Sequence, residues 1–248
     1  MPHLNKLPSP AAAVVIGASG GLGSALVRRL ADEPGVSRVH ALARTSPDAS
    51  DPKVRPGTID VTDESSIQKA AAAVREDGAP TLVIVATGIL HDANGLAPEK
   101  RMQDMSRDAF DRVFAINAFG PALVAKHFLP LFARGERTVF AALSARVGSI
   151  SDNRLGGWAA YRASKAALNM LLKTLAIEHA RTRPESAVIG LHPGTVDTEL
   201  SRPFQGNVPD GKLFTADRAA GHLLDVIDSV TSADSGNLFA WDGSRIEF

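Results

Sequence analysis

Six short apolar runs, spaced along most of the chain, place the strongest constraint on its fold. They cover residues 11–16, 39–43, 82–85, 138–143, 188–191 and 238–241. Runs of this length that are apolar throughout are typical of buried parallel strands, and amphipathic stretches of helix length separate them. Right-handed crossovers between parallel strands place helices on both faces of the sheet. Counting a further short strand just before Asp60, we expect one α/β domain with a doubly wound, mostly or wholly parallel sheet of seven strands.

Length and composition fit a single domain covering residues 1–248. The chain has 248 residues, of which 44% are hydrophobic, and it shows no internal repeat or low-complexity tract. Because 27 Lys and Arg residues balance 27 Asp and Glu residues, no overall charge favours nucleic acid or an anionic membrane surface. The absence of cysteine excludes a disulfide framework and a thiol nucleophile. The histidines lack metal-ligand spacing, so we expect no metal.

The beginning of the chain gives an expectation about location. Residues 1–10 contain no long apolar run, and the run 11–16 is too short to span a bilayer or to form the core of a signal peptide. The sequence therefore predicts a cytoplasmic protein that binds a small molecule and has neither nucleic acid nor membrane as a partner.

A glycine-rich turn directly follows the first predicted strand and precedes a helical stretch at residues 24–31. The turn contains Gly17, Ser19, Gly20, Gly21, Leu22 and Gly23. Glycines allow a tight turn, and the start of the following helix offers free N–H groups and a positive dipole end to a pyrophosphate. An ordinary glycine-rich turn is the alternative, but its position between a first strand and a first helix favours a dinucleotide site.

The end of the second predicted strand bears on the choice of cofactor. An NAD enzyme usually places an acidic residue there to bind the adenosine ribose hydroxyls, whereas this chain has Arg44 followed by Thr45. Arg44 can hold a 2′-phosphate through forked, charge-assisted hydrogen bonds, with help from the Thr45 hydroxyl. The sequence therefore favours NADP(H) over NAD(H), the alternative being that Arg44 is a solvated loop cation.

A Tyr-x-x-x-Lys pair lies in the strongly helical stretch 158–181. Tyr161 and Lys165 are four residues apart, so they share one helix face about one turn apart. Free tyrosine, with a pKa of about 10, is a poor acid and a scarce base near neutrality, and a nearby permanent cation lowers that pKa. The pair therefore suits proton transfer at a carbonyl or alcohol oxygen. An aromatic ring packed under a surface lysine is the alternative.

Ser144 closes the predicted strand 138–143, at the carboxyl edge where open α/β sheets build their sites. Its hydroxyl can hydrogen-bond a substrate carbonyl or a developing alkoxide. The alternative role for Ser144 is that of a turn or cap residue.

Asn117 lies on the core-facing stripe of another predicted helix, where a buried amide needs partners. Pro121, four residues later, has no N–H, so the carbonyl of Asn117 loses its helical partner and the helix should bend. A water molecule can bind at that carbonyl. The alternative is that Asn117 is a satisfied core amide.

The spacing Gly17-x-x-x-Gly21-x-Gly23, followed in order by Ser144, Tyr161 and Lys165, resembles the short-chain dehydrogenase/reductase family over nearly the whole chain. Ile16 stands where the family usually has Thr, which removes a side-chain hydrogen bond that braces the turn. Residues 149–153, 161–170 and 191–194 resemble the C-factor-like branch, which includes cell–cell signalling proteins and carbonyl reductases.

The resemblance implies a Rossmann domain and an NADP(H)-dependent oxidoreductase that interconverts a carbonyl and an alcohol, with the proton moved by Tyr161. It implies that Asn117 anchors a water in a proton relay from Tyr161 and Lys165 to solvent. It also implies a homodimer or homotetramer formed through the helices around 110–132 and 158–181. The alternative is an NADP(H)-binding regulatory or cell–cell signalling protein with little turnover.

Further cofactor contacts follow from the same resemblance. Asp60, with Val61, would reach the adenine amine, although Asp60 also suits a helix-capping role. The positions expected beside the adenine ribose are Ala86, Thr87 and Gly88. Those expected beside the nicotinamide and its phosphate are Pro193, Gly194, Val196 and Thr198. The loop 145–157 and the segment after Thr198 are expected to shape the substrate mouth.

Overall fold

Seven parallel strands form the centre of the protein in a computed structural model that describes residues 4–47, 50–209 and 211–248. The parallel strands are β1 (Ala11–Ile16), β2 (Val36–Ala43), β3 (Val54–Thr58), β4 (Leu82–Val85), β5 (Val139–Leu143), β6 (Ala187–His192) and β9 (Leu238–Ala240). A two-residue strand, β10 (Arg245–Ile246), pairs antiparallel with β9 at the sheet edge. β7 (Thr195–Val196) and β8 (Leu213–Phe214) form a separate parallel pair.

The strand order is β10-β9-β6-β5-β4-β1-β2-β3. From β1 the chain winds outward through β2 and β3, and it then returns to β4 on the other side of β1. The two halves of the sheet are therefore wound in opposite directions, and the crevice between them opens at the carboxyl ends of β1 and β4. The predicted fold class is confirmed, with β10 added as an eighth strand.

Alternate residues of each central strand face opposite helix layers, because side chains alternate across a sheet. Val15 packs with α1 (Gly21–Asp32) and α6 (Ala216–Ser229), which contact each other. Val14 and Ile16 pack with α2 (Glu64–Glu76), α4 (Gly120–Phe128) and α5 (Ala159–Ala180) on the other face. Burial on both faces explains why the central strands are apolar throughout.

The helices α3 (Arg107–Phe114) and α4 are joined without a break by a π-helical turn, Ala115–Phe119. Within this turn the N–H of Gly120 bonds the carbonyl of Ala115, five residues earlier. Pro121 has no N–H, so the regular hydrogen-bond ladder cannot continue, and the predicted irregularity at Asn117 is present. The helical stretch 107–131 is long and apolar enough to cross a membrane, but half of its apolar window is buried, as in a core helix.

The cluster of Pro, Ser and Asp residues at 46–56 predicts a loop between two early elements, but this loop ends earlier than residue 56. β3 already begins at Val54 and includes Pro56, and residues 48 and 49 lie outside the described part of the chain. A proline is tolerated there because β3 is an edge strand that pairs only with β2.

Candidate active site

A cavity of ≈ 850 Å³ opens at the carboxyl ends of the parallel strands. Predicted site residues that line it are Ser19, Gly20, Gly21, Leu22, Gly23, Ala86, Thr87, Gly88, Ser144, Tyr161, Lys165, Pro193, Gly194, Val196 and Thr198. The fold thus brings the predicted nucleotide-binding turn and the predicted catalytic residues into one cavity. The predicted residues that do not line this cavity are Gly17, Arg44, Thr45, Asp60, Val61 and Asn117.

The glycine turn is shaped by close backbone contacts. Gly17 has φ +91°, in the region that favours glycine, and its N–H bonds the carbonyl of Leu42 at 2.8 Å. A Cβ on Gly23 would lie 2.1 Å from the carbonyl oxygen of Gly17. Gly17 and Gly23 therefore build the turn, and Gly20, Gly21 and Gly23 line the cavity.

The start of α1 fits a phosphate group. Gly20 is the N-cap of this helix and has no side chain to accept a hydrogen bond from the first turn. The Gly21, Leu22 and Gly23 positions that follow it line the cavity. Open N–H groups and the positive end of the helix dipole favour an anion at this place.

Arg44, Thr45, Asp60 and Val61 lie beyond the ends of β2 and β3, whose last residues are paired. Arg44 is exposed and forms no hydrogen bond or salt bridge within the described ranges. Asp60 accepts hydrogen bonds from the N–H and hydroxyl of Thr62, and these bonds lower the pKa of its carboxyl, with Arg44 adding to the effect. Val61 is buried in the core. Arg44 is thus available to a ligand, while Asp60 already shapes the turn before α2.

The Tyr161 and Lys165 side chains are buried together on α5. The Nζ of Lys165 lies 5.8 Å from the centre of the Tyr161 ring and donates a hydrogen bond to the carbonyl of Leu143 at 2.8 Å. Burial raises the pKa of Tyr161 to about 12 and lowers the pKa of Lys165 to about 7.

The expected lowering of the pKa of Tyr161 by a permanent cation is therefore wrong for this structure. Loss of hydration disfavours the charged form of both groups, and Lys165 is itself only partly charged near neutrality. Tyr161 consequently keeps its proton at neutral pH in the ligand-free site, and the raised pKa makes it a weaker acid than free tyrosine.

The Asn117 side chain is a satisfied core amide. It accepts from the N–H of Ile89 and donates to the carbonyl of Ile89, both at 2.8 Å, and it also donates to the hydroxyl of Ser164 at 3.3 Å. These bonds fix the backbone beside Gly88, where a Cβ would lie 3.8 Å from the Nζ of Lys165. The water expected at the backbone carbonyl of Asn117 stays a prediction, which rests on the missing N–H of Pro121.

Sequence reasoning missed two aromatic side chains, Trp158 and Phe204, that pack beside Tyr161. Trp158 adopts φ +54° and packs on Phe204 with 4.9 Å between ring centroids, while its ring lies 6.3 Å from that of Tyr161. Glycines at 156 and 157, just before Trp158, were the available signal, because glycine permits the left-handed backbone conformation found there.

The ring nitrogen of His91 contacts the carbonyls of Glu199 and Leu200 at 3.1 and 3.2 Å.

The cavity also contains His192, at the end of β6. Burial lowers the pKa of its imidazole to about 4, so this side chain is neutral at physiological pH. It adds a polar, uncharged group beside Ser144, because the N–H of Ser144 bonds the carbonyl of the preceding Leu191.

A glycine turn at the switch point of a doubly wound sheet is the arrangement that dinucleotide-binding oxidoreductases use. The short chain dehydrogenase family model matches residues 11–208, which include this turn and the whole catalytic stretch. The chain therefore belongs to the short-chain dehydrogenase family.

Relatives support this assignment. A 1-hydroxy-2-glutathionyl-2-methyl-3-butene dehydrogenase of Rhodococcus sp. (strain AD45) is 31% identical over 237 residues, which cover 95% of this chain and 98% of that protein. The C-signal protein of Myxococcus xanthus is 38% identical over 136 residues, covering 54% of this chain and 76% of that protein. An NADPH-bound carbonyl reductase from chicken fatty liver superposes with a TM-score of 0.82 and 26% identity, covering 99% and 97% of the two chains.

Proposed function

We propose that the protein reduces a carbonyl compound with NADPH, and that Tyr161 donates the proton. The observation that carries this proposal is that Tyr161, Lys165 and Ser144 line one cavity with the glycine turn. A bound nicotinamide would supply the hydride to the carbonyl carbon. The Tyr161 O–H would deliver its proton to the carbonyl oxygen, so that hydride and proton together give the alcohol.

Other groups of the chain assist this transfer. Lys165 stands beside Tyr161 and stabilises the tyrosinate that remains after transfer. A water on the carbonyl of Asn117 would return a proton from solvent by way of Lys165. Ser144 lines the cavity and offers its hydroxyl to the carbonyl oxygen.

The choice of NADPH rests on Arg44. Its exposed guanidinium stands at the end of β2, where a 2′-phosphate on the adenosine ribose would lie. No acidic side chain follows β2 directly to repel that phosphate. The chicken carbonyl reductase, which binds NADPH, is consistent with this choice.

The substrate end of the cavity is largely apolar. Trp158, Leu200 and Phe204 pack around Tyr161 and Leu90. We infer that the part of the substrate next to its carbonyl group is uncharged and apolar, because an ionised group would lose its hydration among these side chains.

The test is NADPH oxidation over a panel of aldehydes, ketones and quinones, with NADH in parallel. We expect turnover of at least one class and a lower kcat/KM with NADH. Tight NADPH binding without any turnover would instead favour the second candidate, a regulatory or signalling protein, which the similarity to the C-signal protein raises.

We also propose that copies of the chain associate as a dimer or tetramer. Three large apolar side chains are exposed on the helical layer formed by α4, α5 and the π-helical turn, namely those of Phe119, Met170 and Ile177. Sedimentation velocity should give a dimer or tetramer, and a monomer at high concentration would contradict this proposal.

A further inference from the structure

One further polar side chain lies on the catalytic face of α5. Tyr161, Lys165 and Asn169 follow one another at intervals of four residues, so they form one stripe along the helix. Asn169 is buried, and its Oδ1 accepts a hydrogen bond from the hydroxyl of Ser144 at 2.7 Å. The amide is therefore in direct contact with the group expected to bind the substrate oxygen.

This hydrogen bond directs the Ser144 proton away from the substrate. A serine hydroxyl has a single proton and accepts through its lone pairs. While Ser144 donates to Asn169, it has no proton left to donate to a carbonyl oxygen in the cavity. A carbonyl oxygen is only an acceptor, so the two oxygens would face each other without a hydrogen bond.

The nitrogen of the Asn169 side-chain amide is also placed unfavourably in this orientation. Its Nδ2 is buried and has no hydrogen-bond partner within the described part of the chain. A buried donor without an acceptor costs free energy. Asn117 shows the contrast, because both ends of its buried amide are paired with Ile89.

Rotation of the Asn169 amide by about half a turn removes the first difficulty. Its oxygen and nitrogen exchange places, so that Nδ2 donates to the Oγ of Ser144. Ser144 then accepts from Asn169 and can turn its own proton toward the cavity that it lines. The buried Nδ2 gains an acceptor, while Oδ1 gives up the Ser144 proton and takes the former place of Nδ2.

We propose that Asn169 is a positioning residue that makes Ser144 a hydrogen-bond donor to the substrate carbonyl. This inference rests on the proposed carbonyl reduction. With cofactor bound, the amide N–H of Asn169 donates to Ser144, and Ser144 donates to the oxygen that Tyr161 protonates. No covalent bond forms or breaks at Ser144 or Asn169.

The amide orientation is measured without turnover. The protein is ¹⁵N-labelled, assigned and saturated with NADPH. The side-chain amide protons of Asn169 should then show strong nuclear Overhauser contacts with the Ser144 β-protons. Amide protons that show no such contact, and that exchange freely or contact other residues, would overturn the inference.

Kinetics provide the second test. Asn169→Asp places a carboxylate that only accepts, so the Ser144 proton stays directed away from substrate. We expect kcat to fall about a hundredfold, as for loss of one oxyanion donor, with a smaller change in KM. In a Ser144→Ala background the same substitution should cost little more, whereas full additivity of the two losses would contradict the inference.

The pH profile separates positioning from simple structural damage. Once protonated, the carboxyl group that Asn169→Asp introduces can again donate to Ser144, so kcat of this variant should recover relative to wild type as the pH falls. Asn237→Asp is the matched control, because Asn237 is also buried but donates to the carbonyl of Asp234 outside the cavity. A profile for Asn169→Asp that parallels that of wild type would overturn the inference.

The proposed reaction and the proposed role of Asn169 predict different results, so each can be wrong without the other. If wild type reduces no carbonyl compound while the Asn169 amide protons contact Ser144, the proposed reaction is wrong and the amide orientation stands. If wild type turns over while the amide protons point elsewhere, the proposed reaction stands and the role of Asn169 is wrong.

Discussion

Tyr161 and Lys165 lose most of their contact with water when the chain folds, and this loss sets the charge state of both side chains. Neither side chain has an oppositely charged partner among the residues that the structure describes, so burial raises the pKa of the phenol and lowers the pKa of the ammonium group. The structure favours a neutral pair. Such a pair holds a transferable proton on Tyr161 and keeps Lys165 ready to gain charge when tyrosinate forms.

Titration of Tyr161 can be followed directly, because it is the only tyrosine in the chain. With a pKa raised to about 12, only about 1% of the phenol should ionise at pH 10, where an ordinary tyrosine is about half ionised. The ultraviolet difference absorbance of tyrosinate measures this fraction. A midpoint at or below the ordinary value would contradict the raised pKa of the buried Tyr161 phenol in the ligand-free protein.

The buried lysine should cost stability in a pH-dependent way. Its pKa is lowered from 10.5 to about 7 on folding, so the cost is fully present below pH 7 and declines as the pH rises toward 10.5. Lys165→Met should therefore stabilise the fold, and its advantage should shrink by about 2 to 3 kcal/mol between about pH 6 and about pH 9. Urea denaturation at both pH values measures this, and an unchanged advantage would argue against a buried, neutral Lys165.

The same residues show what sequence could and could not predict of the site. The order of Ser144, Tyr161 and Lys165 predicted, through the family resemblance, that they share one site, and all three line the same cavity. The direction of the pKa shift at Tyr161 was predicted wrongly, because desolvation depends on the surrounding fold. Asn169 was not recognised, because its contact with Ser144 spans 25 residues.

Among the helices and strands, hydrophobic periodicity predicted those that bury one face or both faces in the core. The predicted helix 158–181 agrees with α5, Ala159–Ala180, to within one residue at each end. The pair β7–β8 and the edge strand β10 were not predicted, because two-residue strands carry no periodic signal. Their pairing is decided by neighbouring elements.

The beginning of α5 depends on a residue from a distant loop. Trp158 offers no side-chain cap, and Glu99 instead accepts the Ala160 N–H with its carboxylate and the Trp158 N–H with its backbone carbonyl. Glu99→Leu should lower the free energy of unfolding by about 1 kcal/mol and reduce kcat, because Trp158 and Tyr161 lie in this first turn.

Glu99→Gln is the matched control, since its side-chain oxygen can still accept the Ala160 N–H. It should stay close to wild type in urea denaturation and in turnover. Equal losses in the Leu and Gln variants would show that the carboxylate charge, rather than the capping bond, matters.

For the whole molecule, one sheet connects both core layers, so we predict that residues 1–248 unfold as a single domain. NADPH at about 100 times its Kd should add about 2.7 kcal/mol of stability through binding to the folded state. Thermal unfolding should show one transition that NADPH moves upward. Two separate transitions would contradict the single-domain prediction.

Arg44→Ala should reduce the upward shift produced by NADPH more than that produced by NADH, because only NADPH carries the 2′-phosphate. Arg134→Ala is the matched control, since Arg134 is also exposed but lies in a surface turn away from the cavity. Equal losses with both cofactors would remove the role proposed for Arg44.

The central claim is that Tyr161 gives its proton to a carbonyl oxygen in an NADPH-dependent reduction. The most direct measurement is single-turnover NADPH oxidation by Tyr161→Phe, with NADPH affinity measured in the same samples. We predict that Tyr161→Phe binds NADPH with nearly wild-type affinity and loses oxidation by at least about a hundredfold. Oxidation at the wild-type rate by a variant that still binds NADPH would contradict the account.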